Sequence, residues 1–510
     1  MSIHSRRLGL VDRQSHDLRD DELLRTLGYK PVLTRRMGPF GNFAISFSVI
    51  SVLSGCMTLY GFGLNTGGPA VMMWGWIAVG IMVMFVGASL AEVTSAYPTS
   101  GALYYMADQL GSKKWGWYTG WLNLLGLLGA IAGIDYGAAQ FTGAFANLQW
   151  GFQPTPSKTM VIYLCILLLH GLLNLFGVRL VSILNSVSVW WHILGVAVIV
   201  GVLWVVPSHH QSASFVFGKF VNDTGWNAHW YVILIGLLLA QYTFSGYDAS
   251  AHLSEETTGA QINAARGIVR AIAWSWLAGG VLLAGLTFAI QDYAGTQNSD
   301  TGVPPAQIFL DALGTGGAKA LLLIVIVAQL FCGSAEVAAC SRMVFAFSRD
   351  GALPGSRWWR QVSDRTRTPV RAVWLSVVVA GVLAAPSLYS PTAYGAVTAI
   401  NVIGITPAYA IPIYLRLRNR RTFRPGPWSL GSWGPLAGWI AVLWVAFVTV
   451  LFLLPQSYPV TAETFNYAPV ALAAVLLLAT IWWQVAGRRS YETPTYGSAR
   501  ETAELEEEIV

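Results

Sequence analysis

Charge is scarce in this chain. Only 11% of its 510 residues are Asp, Glu, Lys or Arg, less than half of the roughly 25% carried by soluble domains. A chain of this length would make about three soluble domains. It has too little polar surface to cover them in water, so lipid must solvate much of the exterior. Cysteine is scarce too, and Cys56, Cys165, Cys332 and Cys340 all lie in apolar segments. That excludes a secreted disulfide scaffold and speaks against a zinc cluster. Catalytic signatures are missing as well: the sequence has no HExxH helix, no P-loop and no GxSxG elbow. Its intramembrane His, Asp and Glu residues do not fall at metal-ligand spacing. An enzyme is therefore not expected, nor a cofactor or metal. The first 38 residues are polar and basic, without the apolar core of a cleavable signal peptide.

What the chain has is apolar length. Hydrophobic residues make up 54%, with 22 Trp, 52 Gly and 22 Pro, as helical membrane proteins do. Each crossing needs about 20 apolar residues. Twelve such segments are readable, near 40–63, 70–96, 117–146, 158–178, 180–206, 229–251, 268–290, 317–347, 370–387, 392–415, 434–455 and 466–487. They are too long and too uniformly apolar for the alternating strands of a barrel. The fold class expected is an all-α polytopic membrane protein of 12 transmembrane helices.

Lys and Arg placement orients it. Of the 31 basic residues, only Lys158, Lys219 and Lys319 fall on the side opposite the termini, so both termini are expected in the cytoplasm. The net charge of +6 is then a membrane-surface bias and gives no reason to invoke nucleic acid. The stretch from Asp20 to Leu27 reads as a short amphipathic helix or a solvated tail. The acidic end, Glu501 to Glu508, reads as a solubilising tail.

Two spans are locally spoiled. The first, ISFSVISVLSGCMTLYGFGLNTGGP, carries Ser51, Ser54, Gly55 and Thr58 at its middle; the sixth, LLLAQYTFSGYDASAHLSEET, carries Ser245 and Gly246, with Asp248 just beyond. Interrupted helices survive at membrane depth only where protein or a water-filled cavity satisfies the freed backbone groups. Matching interruptions in two halves point to a transporter binding site. The halves are 39–206 and 229–416, five spans each. The odd number inverts their orientation, so the repeat is inferred from topology.

An unwound stretch exposes N–H groups that suit a carboxylate and C=O groups that suit an ammonium. Ser54, Gly55 and Cys56 are the carboxylate candidates. Phe244, Ser245 and Gly246 offer carbonyls to an amine, and Tyr242, Phe244 and Tyr247 could close or line the pocket. Gly129, Gly133 and Gly137 in span three, four residues apart, read as a close-packing face instead.

Ionisable groups inside a bilayer are expensive, so each is a functional candidate. Asp248 is either a substrate contact or a cap at the break. Asp135 is a pocket residue or a hydrogen-bonding link to a neighbouring helix, and His170 a packing histidine. Glu336, alone in span eight, could titrate, pair with His192 or meet a substrate amine. Histidine can relay protons near neutrality, so His192 and Glu336 are the candidates for ion coupling. Glu92, Glu255 and Glu256 sit at span ends and suggest gate or cap duty.

The run AEVTSAYPTSGALYYMA (Ala91–Ala107) resembles the signature of the amino acid–polyamine–organocation superfamily. FSGYDASAHLSEET (Phe244–Thr257) and SRMVFAFSRDGALP (Ser341–Pro354) resemble its amino acid/choline transporter branch, which includes GABA permeases; LGYKPVLTRR and PAYAIPIYLRLR agree. The resemblance covers roughly residues 24–490. It implies a five-plus-five inverted repeat with helices one and six broken, two further C-terminal helices, and substrate between spans one, three, six, eight and ten. It also implies that Ser54 and Gly55 receive a carboxylate and that 244–246 is the unwound sixth span. Several members place a lysine where this chain has His192, which leaves a titratable bridge and favours proton coupling or sodium-independent exchange.

The expected organisation is thus a cytoplasmic tail (1–38), two repeats (39–206 and 229–416), two more helices (434–487) and a cytoplasmic acidic tail (488–510). The expected function is secondary active transport, by alternating access, of an amino acid or related amine such as GABA across the plasma membrane, by proton symport or exchange. The alternatives are a choline or polyamine transporter of the same fold and a nutrient sensor that does not transport.

Overall fold

A computed structural model describes residues 18–299, 301–389 and 393–494; the acidic run from Glu501 lies outside them. Eleven helices among the described residues are long and apolar enough to cross a bilayer: Pro39–Thr58, Gly68–Ala96, Lys113–Trp150, Pro156–Leu175, Val178–Val205, Ala260–Phe288, Pro304–Arg349, Val370–Leu388, Tyr394–Arg418, Gly431–Leu453 and Ala468–Ser490. The remaining expected crossing is a shorter apolar helix, His229–Thr243, followed by an irregular stretch and a one-turn helix, Ala249–His252. Numbered in chain order with this interrupted element as the sixth, the helices match the apolar segments of the sequence.

Their boundaries have local causes. Proline stands in the first turn of helices one, two, four, eight, eleven and twelve, where its missing N–H removes no helical bond. Helix three ends at Gly151 in a left-handed conformation, the usual glycine stop. Helix eight spans 46 residues, but Gly314 breaks it with φ 68°, so its first ten residues are not part of the crossing.

Depth in the bundle follows polarity. The whole apolar window of helix three is buried, against 17% of that of helix twelve. Helix three packs on helices ten and eight, and helix seven on helices two and one. The glycine face of helix three allows this closeness. A Cβ at Gly129 would press on the Asn401 backbone, and Cβ atoms at Gly133 and Gly137 would press on the Tyr242 and Thr58 side chains. Helices four, five, nine, eleven and twelve lie outside, presenting Leu, Val, Ile and Trp side chains outward.

Both described ends of the chain meet on one face. Residues 18–26 are helical, and Leu24, Leu27 and Tyr29 are buried, so this part of the tail is docked rather than solvated. The short helix Ala102–Leu110 holds both ends, through Tyr105 to the Leu27 carbonyl (2.7 Å) and Gln109 to the Pro494 carbonyl (2.9 Å). Three buried ion pairs line the same face: Arg342–Glu256 at 2.9 Å, Arg349–Glu255 at 3.1 Å and Arg416–Glu92 at 2.8 Å. The arginine partners of these glutamates, 86 to 324 residues away in the chain, were not readable from the sequence.

Candidate functional site

Helix one runs over Pro39–Ile50, and Ser51 then turns left-handed (φ 34°, ψ 85°) before the helix resumes over Val52–Thr58. Of the residues expected at the interruption, Ser51 carries the break, while the carboxylate candidates Ser54, Gly55 and Cys56 are helical. The N–H groups of Ser54 and Gly55 bond to the Ser51 carbonyl. The helix resumes at Val52, so its new N-terminus lies at the break. A partner decides the location. His192 Nδ1 lies 2.8 Å from the Ser188 carbonyl and must donate to it, so Nε2 accepts from the Ser51 hydroxyl at 2.7 Å. His192 therefore pins the break and is not paired with Glu336.

Helix six stops at Thr243, and Gly246 carries φ 81°. A side chain there would also collide with Val49 of helix one, so glycine is required by conformation and by closeness. Among the described residues no backbone N–H reaches the carbonyls of Phe244 or Ser245. Ser245 Oγ bonds to Asn401 Oδ1 of helix ten (3.0 Å), whose amide donates to the Gly126 carbonyl of helix three (2.9 Å). The irregular stretch is thus fixed from two sides.

Between the breaks lies a small cavity of about 10 Å³, lined by Val49, Ile50, Ser54 and Gly55, by Ala130 and Ile134, by Tyr242, Thr243 and Ser245, and by Cys332. That is room for about one water, so a larger solute enters only if the lining moves. Of the expected site residues, Ser54, Gly55, Tyr242 and Ser245 border it and come together as anticipated. Cys56 is buried outside its lining, behind the contact of Gly55 with Thr243. Phe244 turns away to stack on Trp76 of helix two, with ring centroids 4.4 Å apart, so it is no lid. Tyr247 stacks on Tyr409 of helix ten (4.5 Å) and does not line the cavity. A larger groove of about 760 Å³ between helices nine, ten and twelve is lined mainly by apolar side chains, with Glu463 and Thr464 at one end, and includes no residue of either break.

The carboxylates separate into three situations. Asp135 bonds to His170 Nδ1 at 3.0 Å, both fully buried, in space left by Gly333; its second oxygen is unpartnered. Glu336 is fully buried with both oxygens unpartnered, and a Cβ at Gly246 would lie 3.6 Å from one of them, so it faces the helix-six break. Tyr242 also has an unpartnered hydroxyl. Asp248 does not border the cavity. It accepts from Tyr409 (2.7 Å) and Asn123 (3.2 Å) and lies 3.1 Å from His252 Nε2. The i, i+4 spacing of Asp248 and His252 was readable in the sequence, since such residues face each other on a helix; Tyr409 was not.

Closer to the terminal face, burial opposes ionisation of Glu255, but the Arg349 charge and the N–H of Ser100 (2.8 Å) hold its carboxyl below the usual range. Asp350 is the reverse: burial pushes its carboxyl up to about 7, despite Arg349 and hydrogen bonds from Tyr29 (2.7 Å) and Tyr104 (2.9 Å).

A helical bundle in which two interrupted helices face each other across a small polar hollow is the architecture of a solute carrier. The profile of the amino acid permease family matches residues 37–477. The chain is 41% identical to the amino-acid permease BAT1 of Arabidopsis thaliana, over 92% of this chain and 95% of that protein. It is 30% identical to the GABA-specific permease of Saccharomyces cerevisiae, over 93% and 86%. This chain belongs to the amino acid permease family and is an amino acid transporter, not an enzyme.

Proposed function

We propose that the solute is a small amino acid with a free amine, α-amino acid or GABA-like, moved by alternating access across the plasma membrane. Its carboxylate is received where helix one resumes, at Val52 to Gly55, and its amine by the Phe244 and Ser245 carbonyls. Glu336 supplies negative potential behind the amine. The single observation that carries this reading is the hollow bounded by both helix breaks. Its small volume means that loading requires the helix-one and helix-six segments to part. The name of the yeast relative supports a GABA-like solute, and that of the plant relative an amino acid.

The contact pattern supports two inverted repeats. Helix three meets ten as eight meets five, and three meets four as eight meets nine, which is what exchanging each helix with the one five places on would give. The excess of Lys and Arg on the terminal face supports a cytoplasmic location for both termini. Coupling to protons or exchange is part of the proposal. Uptake of radiolabelled amino acids, GABA, choline and polyamines into proteoliposomes tests it. Accumulation or exchange of an amino acid or GABA is expected. Binding without flux would favour a sensor, and choline or polyamine uptake alone would move the carboxylate out of the account.

A further inference from the structure

The cluster around Asp248 has a proton count that fixes its chemistry. His252 Nδ1 lies 3.1 Å from the carbonyl oxygen of Ser100, which can only accept, so Nδ1 carries a hydrogen. Nε2 lies 3.1 Å from Asp248 Oδ2. With a neutral imidazole and a carboxylate, two lone pairs would face each other there, with both side chains fully buried. One further proton removes the conflict, either on Nε2 or on the carboxyl, and in both cases the pair holds it. The Tyr409 hydroxyl adds none. It accepts from the Gly246 N–H (3.0 Å) and donates to Asp248 Oδ1 (2.7 Å). His192 shows the contrast, because its two bonds are satisfied by a neutral ring.

We infer that the Asp248–His252 pair is a proton-binding site whose occupancy is linked to the opening of the solute hollow towards the terminal face. The inference rests on the transport reading above. The pair joins four elements that must separate on that side: the second half of helix six, the loop at Ser100, helix three through Asn123 and helix ten through Tyr409. It also reaches the break itself, since Tyr409 holds the Gly246 N–H. The step is a plain protonation. A proton from water joins the neutral imidazole and carboxylate, and later leaves to water unchanged. When it leaves, the two lone pairs repel and the seam loosens.

Other ionisable groups face the pair. Tyr247 and Glu336 interact electrostatically with Asp248, and Tyr409 bonds to it. Beyond Ser100 stand Glu255 with Arg349, and beside them Glu256 with Arg342. Helices one and three present only uncharged groups here, Ser46 through Ser250 and the Tyr247 carbonyl, and Asn123.

Asp248→Asn tests this, because its amide can donate to His252 Nε2 and accept from Tyr409, imitating the protonated pair permanently. The Asn123 carbonyl oxygen, unpartnered at present, can turn to meet the new amide. Full-length protein is placed in proteoliposomes with a trapped pH dye and a solute that the unmodified protein transports. The unmodified protein should move protons with solute and show uptake that varies at least fivefold between pH 5.5 and 8. Asp248→Asn should lose solute-linked proton movement, with any remaining exchange varying less than twofold over that range. His252→Gln is the second variant, should the first fail to fold, and should show the same loss. The proposal is overturned if the unmodified protein exchanges amino acids without proton movement, a result that leaves the transport reading standing. It is equally overturned if either folded variant keeps the unmodified pH profile and proton movement. Absence of any amino acid flux would overturn the transport reading instead.

Discussion

The Ser51 hydroxyl donates to Nε2 of His192 across 2.7 Å, joining the break in helix one to the middle of helix five. Ser188 takes the other ring hydrogen. A neutral imidazole satisfies both contacts, so the bridge needs no second proton at the place where a titratable coupling group was expected. A serine in a left-handed conformation is strained, and this bond explains why the break stays at that residue.

His192→Gln should lower uptake by roughly tenfold, the effect of losing about 1–2 kcal/mol of hydrogen bonding. The shape of the pH profile should not change. A flattened profile, measured as uptake from pH 5.5 to 8, would return His192 to the coupling role.

Gly55 and Gly246 should not tolerate side chains. A Cβ at Gly55 would stand 2.5 Å from Thr243 Oγ1, and one at Gly246 would meet Val49. Gly55→Val and Gly246→Leu are expected to abolish solute binding, measured by ligand-induced thermal stabilisation, while expression and membrane insertion persist. Overpacking of this kind costs about 1–3 kcal/mol, and more where φ is positive.

Glu256→Gln leaves Arg342 buried without its counter-charge. The expected cost is about 3–5 kcal/mol, read as a large fall in melting temperature in detergent. Adding Arg342→Met should recover most of it, because replacing both charges removes the uncompensated one. Equal melting of single and double variants would contradict the pairing seen here.

The contact between the docked N-terminal segment and Asp350 should depend on pH. The folded carboxyl is raised to about 7 from an ordinary value of about 3.9. Its stabilising contribution is thus complete below about pH 4 and is lost as pH rises through 7. Asp350→Asn should reduce the loss of thermal stability between pH 6 and 8 relative to the unmodified protein. An unchanged or steeper loss would show that Asp350 does not titrate there. Glu255, held low by Arg349, acts in the opposite sense: its contribution is present above about 4.3 and fades as pH falls further.

The spans were legible because bilayer thickness imposes a length and a composition on each of them. The two broken helices were legible because serine and glycine at membrane depth are conspicuous in an apolar run. The position of the first break was not, since Ser51, Ser54 and Gly55 are each compatible with either state. What selects Ser51 is His192, 141 residues away. In the same way, Phe244 looked like a lid until Trp76 supplied a stacking partner. Asp248 read equally as a solute contact or a cap at the break, and its partners Asn123 and Tyr409 lie on helices three and ten. Pattern within an element survives in the sequence; pairing between distant elements does not.

Determining the structure of the protein with its transported amino acid bound tests the account most directly. The account predicts density between the two breaks, with the carboxylate against Val52–Gly55, the amine against the Phe244 and Ser245 carbonyls, and Tyr242 moved to make room. Solute density elsewhere, with Ser54, Gly55 and Ser245 still closed on one another, would contradict it.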